Sequence, residues 1–148
     1  MSAMASASVD SISAWYIEIG NDEQSSALVY RFFVDPNSLS PQERFQATMN
    51  IHGLFLVFQN SYYLANEGTL EQSILRSLTA AMLSAKGTPG LHLFWKQRRS
   101  IFMEEFQNFV DSILDSDRTV SEGLFGAGNP EPPSNKAIEP PARQAGTH

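Results

Sequence analysis

The sequence predicts an all-α fold, a compact bundle of about five helices followed by a disordered C-terminal tail. Three observations predict it. Apolar residues recur at helical spacing across residues 9–114, serine, threonine, proline and glycine punctuate those stripes, and beyond Asp115 the composition turns to proline and glycine.

Residues 1–8 are rich in small and polar residues, and are expected to form a flexible N-terminus. They lack the basic and apolar stretches of a secretory signal. In the first helical segment Ile12, Trp15, Tyr16 and Ile19 share one face, and Gly20 is expected to end it. Asn21, with Gln24 three residues on, is expected to cap the next helix, whose stripe is Leu28, Val29, Phe32 and Phe33 and whose stop is Asp35-Pro36.

Ser40-Pro41-Gln42-Glu43 is the strongest local signal. The serine hydroxyl can accept from the Glu43 N–H, the glutamate can reach back, and proline occupies a position where its missing N–H costs nothing. The helix it starts runs to about Asn66 and carries apolar residues on more than one face, which predicts a central position. Asn66-Glu67-Gly68 then stops it, and Thr69-Leu70-Glu71-Gln72 reads as a second capping box before Ile74, Leu78, Ala81, Met82 and Ala85.

Lys86-Gly87 closes that helix, and Thr88-Pro89 is expected to start the last one as Ser40-Pro41 starts the third. This last helix holds LHLFWKQRRSIF, residues 91–102, and continues through Phe106, Phe109 and Ile113, with Val110 and Leu114 widening the stripe. From residue 115 the chain is expected to be disordered.

At 148 residues, with ten Phe, four Tyr and two Trp, the chain is one domain's worth of sequence with an aromatic core. Ten Lys plus Arg against 16 Asp plus Glu leave a net charge of −6, which opposes attraction to nucleic-acid or lipid phosphates. Nucleic acid is therefore not an expected partner. Cysteine is absent, so disulfides, thiolate metal sites and cysteine nucleophiles are excluded. The sequence also lacks Glu-x-x-His, His-Glu-x-x-His and Gly-x-Ser-x-Gly, and the GLFGAG run at 123–128 lacks the strand and Lys-Ser/Thr of a phosphate loop. No metal, cofactor or catalytic residue is expected.

Within residues 91–102, Trp95 and Arg99 stand four apart and can stack as a cation–π pair, while Lys96, Arg98 and Arg99 make a small cationic patch. Most of this stretch also reads as a helix held in place by its apolar edge. His52 reads as a buried hydrogen-bonding residue, and His92 lacks a partner nearby in the sequence. Glu104 and Glu105, about 100° apart on a helix, do not converge, and like Glu67 and Glu71 they suit the field at a helix N-terminus.

The expected function is a non-catalytic interaction or accessory module, docking a protein partner or itself through an apolar groove or the Trp95–Arg99 surface. A different class remains beside it: Phe55, Phe58, Tyr62 and Tyr63 are more aromatic residues than one packing face needs, and can line a pocket for a small apolar or lipid ligand. An enzyme would have to pair His52 or His92 with a glutamate from another helix.

Val29-Tyr30-Arg31-Phe32-Phe33, Gly68 with Leu70 and Glu71, Pro89-Gly90 followed by Trp95, Arg98 and Arg99, and Phe102, Phe106, Phe109, Val110 and Asp111 carry a resemblance. Over about residues 21–114 the chain resembles a group of uncharacterised bacterial all-helical proteins, many with membrane helices ahead of the helical part. The resemblance implies the fold and no activity. No run here approaches the ~20 apolar residues of a membrane span. The expected location is the cytoplasm, or the cytoplasmic membrane face if segments absent here tether the domain.

Overall fold

A computed structural model describes residues 3–118. Among them are six α-helices: α1 (Ala3–Asn21), α2 (Glu23–Val34), α3 (Pro41–Asn66), α4 (Gln72–Ala85), α5 (Pro89–Arg98) and α6 (Glu104–Asp115). Short 3-10 turns at Pro36–Ser38 and Arg99–Ile101 join two of the pairs, and the described residues contain no strand. The tail expected from residue 115 falls outside the described residues from 119 onward.

The central position expected for the third helix holds. Ser40 Oγ accepts from the Glu43 N–H at 3.2 Å and Glu43 Oε1 accepts from the Ser40 N–H at 3.0 Å, so the capping box forms as its residues require. At the other end Gly68 takes the left-handed backbone, φ 77°, and the Thr69 and Leu70 N–H groups both donate to the Leu64 carbonyl. Arg31 ties α2 to the start of α3, donating to Glu43 and to the Ser38 carbonyl, each at 3.0 Å.

Several local expectations are corrected. Helix α1 begins at Ala3, ahead of the expected domain start at residue 9, because small residues let it lie close against α3. Ala5 is fully buried in a small core with Leu64, Ala65 and Leu70, and the buried hydroxyls of Ser8 and Ser61 meet at 2.6 Å. Ser61 already donates to the Val57 carbonyl, which leaves Ser8 as the donor between them. Residues 3–8 therefore pack as part of the domain.

Gly20 does not stop α1, and the cap of α2 is Asp22, which accepts from the Ser25 N–H at 3.2 Å. The box expected at Thr69 does not form: Glu71 is the N-cap of α4 without a side-chain capping bond, and the Gln72 side chain donates back to the Ala65 carbonyl. Thr88 likewise turns its hydroxyl to the Ala85 carbonyl, 2.7 Å away, although Pro89 keeps the expected first position of α5. In both cases the preceding helix end competes for the capping side chain.

The last correction is the helix count. The expected last helix is two, broken at Arg99–Ile101. The backbone groups released there find side chains: the Met103 N–H donates to Gln59 Oε1 and the Phe102 carbonyl accepts from Gln107 Nε2. Glu104 and Glu105 fill the first turn of α6, where the helix field favours them. The break leaves Phe102 and Phe106 both beside Phe55, at ring separations of 6.1 and 6.5 Å.

Candidate functional site

Trp95 and Arg99 meet on a carboxylate rather than on each other. Trp95 Nε1 donates to Asp111 Oδ1 at 2.8 Å, and Arg99 donates to both Asp111 oxygens through Nε and Nη2, at 2.6–3.1 Å. This three-residue cluster pins α5 to α6. The Arg99 hydrogen bonds, then that of Trp95, hold the Asp111 carboxyl below its ordinary range, and Asp111 in turn raises the Arg99 guanidinium.

Trp95 is only 5% exposed, so it anchors the fold and does not present a docking surface. Of the other predicted cations, Lys96 is exposed, and Arg98 is half-buried with its Nε 3.4 Å from His52 Nδ1. The cationic patch is thus split, with Arg99 committed to Asp111.

Because the Asp111 carboxyl titrates lower folded than unfolded, its contribution is complete above the ordinary carboxylate range and is lost as pH falls through the depressed value. Asp22 and Glu43, held low by their caps, act in the same direction. Denaturant unfolding between pH 7 and about pH 2 is expected to show stability declining in acid. Asp111→Asn should make that decline shallower, and an unchanged slope would mean that the cluster contributes no pH dependence.

The predicted aromatic pocket is rearranged. Phe55 and Phe58 are buried, while Tyr62 and Tyr63 are half-buried and Tyr62 stacks on Phe109 at 4.6 Å. Partial burial and then the Glu105 carboxylate raise the Tyr63 phenol. A small apolar cavity of about 70 Å³ lies where Phe55 and Phe58 meet Trp15, Tyr16, Phe33 and Met82. Tyr62 and Tyr63 take no part in its wall. The contribution of α1 to this wall was not legible, because sequence spacing does not show which helix covers which face.

His52, flanked by Phe102 at 5.0 Å and by Arg98, has its imidazole pKa lowered by burial and then by the Arg98 charge. His92 Nε2 is 2.6 Å from the Lys86 carbonyl. Neither is brought to a glutamate by any contact above. The described residues contain no group of three or more His, Asp or Glu that could hold a metal ion, and no helix among them is long and apolar enough to cross a membrane.

The feature that sequence reasoning missed is the outer face of α3. Phe45 is 65% exposed, Met49 37% and Leu56 46%, and these positions follow one another along one side of the helix. Ile101 and Met103, 57% and 51% exposed, flank this stripe at the corner where Phe102 packs on His52. Gly53 lies within it, and from Phe45 to Asn66 the chain carries no Asp, Glu, Lys or Arg. The signal was present as an excess of apolar residues on this helix, but the same excess fits a pocket.

Compared with protein families, curated proteins and solved structures, the chain finds no match.

Proposed function

We propose that this domain is a non-catalytic helical interaction module that docks a protein partner, or a second copy of itself, through the outer face of α3. The observation that carries the reading is the exposure of Phe45, Met49 and Leu56 on one side of a helix that carries no Asp, Glu, Lys or Arg from Phe45 to Asn66 and whose other sides are covered. Large apolar side chains held together in water mark an interaction surface when they form one patch. If the domain stands behind membrane helices, as the resemblance to bacterial helical proteins implies, this face would work at the membrane surface.

The cavity favours a second reading, binding of a small apolar ligand. Its 70 Å³ is about half the ~150 Å³ of an engineered apolar cavity that takes benzene, and far below the ~300–1,000 Å³ of ordinary ligand pockets. It would hold a few methylene groups, not a whole ligand.

Native mass spectrometry of the gently purified chain separates the two. The expected result is protein-sized additions or multimers, lost in Phe45→Glu with the melting temperature unchanged. A reproducible added mass of a few hundred daltons, retained in Phe45→Glu, would instead favour the cavity.

A further inference from the structure

Resting on the reading of α3 as a docking face, we infer that its occupant is a second copy of this chain, with the two α3 helices crossing at Gly53. Gly53 is exposed in mid-helix, and a Cβ added there would meet nothing within 4 Å. Positive φ among the described glycines is confined to Gly68, so backbone conformation does not require glycine at position 53. Nothing among the described residues uses the missing side chain. What a bare helix position provides is close approach of another backbone, and none of the described residues supplies one at Gly53.

The residues around Gly53 suit a copy of themselves. Met49 lies one turn before it and Leu56 one turn after, both exposed. An antiparallel crossing with its two-fold axis at Gly53 lays Met49 of each copy over Leu56 of the other, the reciprocal pairing that a two-fold interface demands. Phe45 then faces the Asn60 end of the opposite helix.

Charge points the same way. Two chains of net charge −6 repel, and they approach at least cost through a face without like charges. From Phe45 to Asn66 α3 supplies such a face, with Gln46 and Asn60 as neutral hydrogen-bonding groups. A strongly basic partner would find no opposite charge on this run, and an acidic one only Arg44 and Arg98 bordering its Phe45–Met49 end. The stripe from Phe45 to Asn60 spans about 22 Å of helix at 1.5 Å per residue. A contact of that length belongs at the small end of specific interfaces, below about 1,200 Å² in total. The dimer is therefore reversible.

Sedimentation velocity of the full chain from micromolar to millimolar concentration tests this, alongside Gly53→Gln and Phe45→Glu. The wild-type chain is expected to pass from monomer to dimer. Gly53→Gln should weaken the dimer at least about tenfold. The same substitution should raise the melting temperature of the dilute monomer by a few degrees, because glutamine is the better helix former and its Cβ has room. These opposite signs distinguish a lost interface from a damaged fold. A chain that stays monomeric throughout overturns the homodimer alone, and the sensitivity of other complexes to Phe45→Glu still tests the docking face. A dimer indifferent to both substitutions overturns the homodimer across α3 and the reading of that face together.

Discussion

Gly90→Ala is expected to destabilise the domain by about 3 kcal/mol or more, with a large fall in the denaturant midpoint. Gly90 is the second residue of α5, and it lies directly on the backbone of α2. An added Cβ would sit 2.0 Å from the Phe32 carbonyl oxygen and 2.6 Å from Phe33 Cα. Both obstacles are backbone, so no rotamer change can relieve them. The two helices must separate, which disturbs the burial of Phe32, Leu91 and Phe94 together. The same methyl group at Gly53 should raise monomer stability by up to about 1 kcal/mol. Urea unfolding of both variants, at concentrations too low for association, checks the pair. A Gly90→Ala loss below about 1 kcal/mol would mean that α5 rides loosely on α2.

Phe55→Ala is expected to cost about 3–5 kcal/mol, the range for removing a buried aromatic ring. Phe55 is the hub of the aromatic core: its ring centre lies 4.8 Å from Phe94, 5.6 Å from Phe58 and 5.9 Å from Trp95. Phe102 and Phe106 complete the surroundings, so the rings of α3, α5 and α6 share this one side chain. The site cannot collapse easily, because those rings also pack on each other, Trp95 to Phe102 at 5.6 Å and Phe102 to Phe106 at 5.6 Å. Phe55 also walls the small cavity, so its truncation would enlarge space that already exists. Equilibrium unfolding gives the number, and a cost under about 2 kcal/mol would show that the neighbouring rings refill the site.

The comparison of Phe55 with Phe45 shows where sequence reasoning stopped. Both are phenylalanines on α3, and both belong to its apolar pattern. One is 3% exposed and the other 65%. A helix with apolar residues on several sides announces that several neighbours will cover it, but not which side will be left uncovered. Asp111 is a similar case. Its spacing from Trp95 and Arg99 means nothing until the break at Arg99–Ile101 folds α6 back beside α5.

The sequence by itself determined the all-helical class, the central place of α3, its capping box and its glycine stop. These depend on groups within one helical turn or on the period of a single stripe, and such information is local. The start of α1 at Ala3, the split of the last helix, the partnership of Trp95 and Arg99 with Asp111, and the opposite meanings of Gly53 and Gly90 were decided by tertiary structure. Each depends on what a distant helix places within a few ångströms of a residue. Burial and hydrogen-bond satisfaction are set by that neighbour, and no spacing along the chain records it.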